Sequence, residues 1–378
     1  MIYLDTAATS RQKPELVYQR AAQAMRETAN PGRGGHAPAL EAGRMVYAVR
    51  EQVSAFFRVG EAERVVFTAN ATDALNLAIQ GMARPGGHIV STTMEHNSVL
   101  RPLRALEARG VRHTLVQGGP DSGAVTAARI AAALEPETCL VACTHVSNVT
   151  GTQMPVEEIG ALCRARGIPF LVDASQSAGV YELNMEAMGI DLLACPGHKG
   201  LLALPGTGLL CLGPNVRPEP LRQGGTGSFS AYLEQPELLP DRYESGTLNT
   251  VGIASLGAGL EYLAARGLAS VRRHEQALCG QFLAGLRAIP GIEIYGAGDA
   301  RRQAAVVSFN LRGMDCAQAA FRLDREYGIC MRAGLHCAPL AHRTVGSFPQ
   351  GSLRASMGPF NTEAEIEQTL SALSALSR

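Results

Sequence analysis

The sequence predicts an α/β protein, with a large domain on a mostly parallel seven-stranded sheet and a smaller C-terminal α+β domain. Three observations lead there. Short apolar, β-branched runs recur along the first 212 residues. Helical patterns separate most of them, and strands that alternate with helices form a parallel sheet covered on both faces. From residue 251 the texture changes to long helices with fewer strands. At 378 residues the chain exceeds one ordinary core, so two domains are expected. Residues 14–250 are assigned to the large one, and 1–13 with 251–378 to the small one.

The expected strands are residues 64–68, 88–92, 111–117, 138–144, 168–173, 190–195 and 207–212. Between them, helices are expected at 71–83, 97–109, 126–134 and 155–166. The last two strands follow one another without a helix, so one edge of the sheet is expected to be antiparallel. Helices at 14–28 and 39–57 are placed outside the sheet. In the second domain, helices at 251–266 and 270–288 precede strands at 291–295 and 304–311. A helix near 316–327 and another starting at Thr362 complete it. The glycine-rich stretch 223–228 reads as a flexible connection.

Composition narrows the function. The chain carries 34 Lys plus Arg against 34 Asp plus Glu, for a net charge of zero. Nucleic-acid binding draws its affinity from a concentrated basic face, so neither nucleic acid nor an anionic membrane is expected as a partner. The most apolar stretch, 190–212, is broken by Pro196, Gly197, Lys199 and Pro205, which argues against a membrane span. The N-terminal MIYLDTAATS has no basic n-region and carries Asp5, so no secretory signal is expected. The nine cysteines are odd in number and form no CxxC pair. Several (Cys139, Cys143, Cys211, Cys279) sit in apolar runs, as in a cytoplasmic protein with reduced thiols. Cys139, Cys143 and His145 would share one strand face but lack a second ligand pair, so no metal site is assigned.

The two lysines are more informative. Lys13 and Lys199 are the only ones, and every other basic residue is arginine. Arginine serves for charge and solvation, but a guanidinium cannot act as a deprotonatable amine. Lys13, in RQKPEL, reads as a solvated surface group. Lys199, in ACPGHKGLLALPG, sits among glycine and apolar residues, where burial would lower its pKa and favour the neutral nucleophile. In parallel sheets, ligands bind beyond the carboxyl ends of the strands. There the sequence places Ala71, Thr72 and Asp73 at a helix start, which reads as an ordinary N-cap or as an anion site. The same edge receives His96, Asn148, Asp173 with Gln176, and His198 beside Lys199.

With these residues in place, the chain resembles the class V branch of the fold type I enzymes that use pyridoxal 5′-phosphate (PLP), closest to the group II cysteine desulfurases and selenocysteine lyases. The resemblance runs through YLDTAAT, NPGRGGH, MEHNS, VSNVTGT, VDASQSAG, GHKG, ESGTLNT, RAGLHCAP and LRASMGPFNT, nearly the whole chain. It implies that Lys199 holds the cofactor aldehyde as a Schiff base and then moves protons at the substrate Cα. Asp173 would pair with the ring nitrogen, His96 would stack on the ring, and Gln176 would donate to its hydroxylate. Asn148 would flank ring and substrate. Thr72 and His198, with the backbone at Ala71, would hold the phosphate. Thr247 resembles a residue that reaches the phosphate of a neighbouring subunit, which implies a homodimer with a shared active site. Arg354 would clamp the substrate carboxylate, with Arg332 and His36 as further substrate contacts.

Cys337 separates the activities within this family. It lies in RAGLHCAP, where neighbouring histidine and arginine support a nucleophilic sulfur, and only 16 residues separate it from Arg354. The resemblance assigns it attack on the sulfur of L-cysteine, leaving a persulfide and L-alanine, with selenocysteine as a further substrate and a protein as sulfur acceptor. The alternatives are a class V aminotransferase or C–S lyase in which Cys337 is a bystander, and a nucleotide-binding α/β protein without PLP. The chain departs from the family at Pro196 and Ala71, where many relatives carry serine and threonine hydroxyls, and at Asp73, which replaces a commoner glutamate. The pattern around Gly32–Ala37 is only loosely dinucleotide-like and opens no βαβ unit.

Overall fold

A computed structural model describes residues 1–32 and 34–377. Arg33, in the NPGRGGH motif, and Arg378 lie outside the described residues. All seven expected strands form one sheet. Its order across is Val65–Thr68, Gly208–Leu212, Leu192–Pro196, Phe170–Asp173, Thr138–Thr144, His88–Thr92 and Arg112–Val116. Both faces are covered, which is why these strands read as continuous apolar runs. In Thr138–Thr144, Val141 and Cys143 pack into one core while Leu140 and Ala142 pack into another. Each fully buried Leu, Val or Phe here contributes about 1.5–3 kcal/mol relative to exposure.

One expectation about the sheet is corrected. The antiparallel strand, Gly208–Leu212, is not at the edge but one place in, because Val65–Thr68 pairs on its outer side. The expected helix at 97–109 also ends sooner, at Leu106. A 3-10 turn over Glu107–Arg109 follows, closed by Gly110 in the left-handed region.

Beyond Gly208–Leu212 lie the helices Thr250–Arg266 and Leu268–Ala288. Next comes a four-stranded antiparallel sheet ordered Arg332–Gly334, Ser352–Ser356, Val306–Leu311, Ile292–Tyr295. Ile2–Tyr3 pairs in parallel with Ile329–Cys330, and Ile2 and Leu4 share a core with Phe282, Phe309, Leu353 and Leu373.

The register aligns the strand ends. Thr144 stands beside Asp173, Asp173 beside Ala194, Pro196 beside Gly208, and Gly208 beside Thr68. Two glycines permit the close approaches around this edge. A Cβ on Gly208 would lie 2.4 Å from the Asn70 carbonyl carbon. Gly179 has φ +88°, and a Cβ there would lie 2.2 Å from the Gly200 carbonyl oxygen.

Candidate active site

A cleft opens at this sheet edge, where ligands of parallel α/β sheets bind. Thr72, Ala71, His96, Asn148, Asp173, Gln176, His198 and Lys199 all line it, together with Asn70, Ser98 and Pro196. Eight of the residues singled out in the sequence therefore converge. Burial pushes the Lys199 amine down to about 8, against the opposing pull of Asp173. Asp173 is buried at the end of its strand, where Oδ1 accepts from the Ser175 backbone N–H at 2.9 Å. His96 caps the helix Asn97–Leu106, its ring accepting from the Ser98 N–H, and burial lowers its pKa. The His198 ring contacts Thr9 Oγ1 at 2.9 Å; burial first, then Lys199 and Lys13, lower its pKa to about 4. Gln176 Nε2 donates to the Ala7 carbonyl at 3.0 Å.

At the start of the helix Ala71–Met82, Asn70 accepts from the Asp73 N–H, while Asp73 accepts from the Ala69 N–H and pairs with Arg222. Asp73 thus closes a cap and anchors a loop. This gives the glutamate-to-aspartate departure a local role.

Cys337 is the one exposed cysteine, while seven others are buried and Cys330 is half-buried. Its loop is stitched to the cleft. Asn97 N–H donates to the Cys337 carbonyl at 2.7 Å, and Asn148 Nδ2 donates to the His336 carbonyl at 2.7 Å. His336 and Cys337 have φ +46° and +58°, a left-handed conformation that costs a side-chain-bearing residue about 1–2 kcal/mol and persists because these bonds hold it. Arg332 Nη2 stands 3.9 Å from Cys337 Sγ.

Arg354 is 1% exposed and does not line the cleft. Its Nη2 donates to Asp5 Oδ1 and its Nη1 to the Asn148 carbonyl, both at 2.9 Å, while Nε has no partner among the described residues. His36 is exposed as the N-cap of the helix Ala37–Phe57. Thr247 is exposed and lines a separate cavity with Ala69 and Asp73. Within one chain, neither His36 nor Thr247 reaches the cleft.

Three contributors escaped the sequence reading. Lys13 is not a surface group: it is 7% exposed, donating to Ser10 Oγ at 2.6 Å and to the His198 carbonyl at 3.1 Å. Burial lowers its pKa to about 8. The polar stretch around it hid this, since the partner loop lies 185 residues away. Glu95 is fully buried and raised to about 8, chiefly by burial. Its Oε1 accepts from Thr92 Oγ1 and the Thr144 N–H, tying two strand ends together behind Asp173. Ser98 lies 2.7 Å from Thr72 Oγ1. The signal for it was the hydroxyl in MEHNS, two residues past His96.

An amine, a carboxylate, an imidazole, an amide and hydroxyls at a helix start, all on one cleft, fit a flat, anionic, carbonyl-bearing cofactor. The comparisons agree. The pattern of the Aminotransferase class-V family matches residues 2–369, and the chain belongs to that family, which is PLP-dependent. Within it the chain groups with the cysteine desulfurases. It is 36% identical over 97% of its length to a protein of Methanothermobacter thermautotrophicus named "Probable cysteine desulfurase", covering 92% of it. It is 33% identical over its whole length to a cysteine desulfurase of Serratia proteamaculans, covering 94% of that protein. A solved cysteine desulfurase from Thermococcus onnurineus superposes with a TM-score of 0.91 at 32% identity, covering 100% of this chain and 94% of that one.

Proposed function

We propose that this protein is a PLP-dependent cysteine desulfurase that moves the sulfur of L-cysteine onto Cys337 and forms L-alanine. The observation that carries this reading is the single exposed cysteine, in a loop tied by Asn97 at Cys337 and by the cleft residue Asn148 at His336. Bound there, PLP supplies an electron sink for the substrate carbon next to the carboxylate. Lys199, whose amine is brought close to neutral pH, holds the cofactor and shuttles the proton at the substrate Cα. Asp173 would serve the ring nitrogen, His96 the ring face, and Gln176 and Asn148 its edge, all four lining the cleft. Thr72, His198 and the backbone at Ala71 would hold the phosphate. The free Nε of Arg354 is assigned to the substrate carboxylate, with Arg332 beside it.

Sulfur transfer balances simply. The Cys337 sulfur bonds to the substrate sulfur, the substrate Cβ–S bond breaks, and the released electron pair takes a proton to give alanine. Selenocysteine fits the same scheme. The short, stitched Cys337 loop keeps the persulfide near the cleft, so turnover should be slow without a thiol or protein acceptor.

The reading includes a homodimer with a shared active site, in which Thr247 serves the phosphate of the neighbouring cleft and His36 remains assigned to the substrate. It also includes a division into residues 14–250 and 1–13 with 251–378. A cytoplasmic location fits the nine free cysteines. Among the described residues, no helix is long and apolar enough to cross a membrane.

Borohydride treatment of the holoenzyme followed by peptide mapping tests the assignment, because the chain offers two lysines only. The cofactor should remain on Lys199. A label on Lys13, or none, refutes the reading.

A further inference from the structure

This inference rests on the cleft being the PLP site. At its phosphate end the chain lacks hydroxyls at Ala71 and Pro196, and Ser98 occupies the space between that end and His96. Ser98 Oγ lies 2.7 Å from Thr72 Oγ1 and 2.9 Å from His96 Nδ1. The direction of this chain follows from one donor. The Ser98 backbone N–H can only donate, and it meets His96 Nδ1 at 3.1 Å. Nδ1 must then offer its lone pair, which places the hydrogen of the neutral imidazole on Nε2. Ser98 Oγ, touching the same lone pair, satisfies that contact only by donating its hydrogen. Its oxygen is left to accept, and the Thr72 hydroxyl is the donor.

We propose that Ser98 is a positioning residue: a one-way relay from Thr72 through Ser98 holds His96 in its Nε2–H form and links that imidazole to the phosphate end of the cleft. An anion at the helix start draws the one Thr72 hydrogen, being a stronger acceptor than a hydroxyl. The Thr72-to-Ser98 step is therefore complete in the cofactor-free cleft and opens when the anion binds, while Ser98 goes on donating to His96 in both states. Asp173, Lys199, Arg332 and Arg101 also act on His96: the carboxylate favours its protonation, and the three cations join burial in opposing it. The Ser98 hydroxyl opposes it too, because a protonated Nδ1 accepts nothing.

Nitrogen-15 NMR of histidine-labelled protein tests this, on the holoenzyme and on the cofactor-stripped chain, for wild type, Ser98→Ala and Ser98→Thr. In wild type, His96 should carry its hydrogen on Nε2. In Ser98→Ala its protonation constant should rise by about tenfold, the worth of one hydrogen bond, and the acidic limb of kcat/KM should move with it. Ser98→Thr should restore both. Adding Ala71→Thr to Ser98→Ala replaces a phosphate hydroxyl but should leave the His96 titration displaced. Should Ser98→Ala fail to fold, Thr72→Val cuts the relay from its other end and, in the cofactor-stripped chain, should move the titration the same way by less. A hydrogen on Nδ1 in wild type, or an unmoved titration in the variants, overturns the relay. A chain that takes up no PLP overturns the reading of the cleft instead, and the stripped-chain spectra still decide the relay.

Discussion

Replacing Lys13 with methionine removes a buried ammonium that has no carboxylate partner among the described residues, while keeping a flexible side chain of similar length. The drop of its amine from 10.5 to about 8 puts roughly 3 kcal/mol of desolvation cost on the charged form. Below pH 8 the folded and unfolded chains both hold this proton, and the cost is felt in full. Between pH 8 and 10.5 the unfolded chain keeps a proton the folded one has released, so stability rises with pH. From pH 7 to 9.5 the wild type should gain about 2 kcal/mol from this group, and Lys13→Met should gain none of it.

At pH 7 the relief of desolvation offsets part or all of the lost bonds to Ser10 and the His198 carbonyl, each worth about 1.5–3 kcal/mol. The variant should therefore be between equal to wild type and about 3 kcal/mol less stable at that pH, and the test lies in how that difference changes with pH. Urea unfolding of the cofactor-free proteins at the two pH values measures this, and comparing the two chains cancels every other titrating group. Equal gains with pH would refute the burial of Lys13. Activity gives a second readout: the His198 carbonyl adjoins Lys199 and keeps its Ser10 and Thr9 donors, so losing the Lys13 donor should lower kcat modestly without unfolding the chain.

Two further outcomes follow from the contacts. Arg50 and Glu244 form a buried pair at 2.7 Å, and Glu244 also accepts from the Phe67 N–H. Glu244→Ala leaves the guanidinium uncompensated and should cost about 3–5 kcal/mol in chemical denaturation; a loss under 1 kcal/mol would contradict this. Asn97→Pro deletes the N–H that holds the Cys337 carbonyl. Proline is tolerated at the first turn of a helix, and the extended His96 before it suits the substitution. Persulfide formation should slow about fivefold, the worth of about 1 kcal/mol, while the cofactor spectrum stays as in wild type.

The apolar strands and most helices were legible because burial on both faces leaves an uninterrupted pattern. What was not legible depends on distant partners. Ile2–Tyr3 is a strand only because Ile329–Cys330 lies beside it, and Ser352–Ser356 alternates serine with Leu and Ala around a buried arginine. Arg332–Gly334 ends in a glycine and forms a strand only through its pairing with Ser352–Ser356. At the site, Lys199, Asp173 and His96 could be placed because each follows a readable strand. Arg354 was foreseen as a carboxylate clamp, but not that Asp5, 349 residues away, already holds one of its nitrogens. Lys13 was misread for the same reason: local polarity says nothing about a loop that folds over it.

The central claim is that Cys337 receives the sulfur. Mass spectrometry of the holoenzyme after L-cysteine, with alanine assayed in the same tube, measures it directly. The account predicts one alanine for each persulfide found on Cys337, and Cys337→Ala should still bind PLP while alanine and sulfide formation collapse. Sulfide release by Cys337→Ala at the wild-type rate would contradict the account and make the enzyme a lyase.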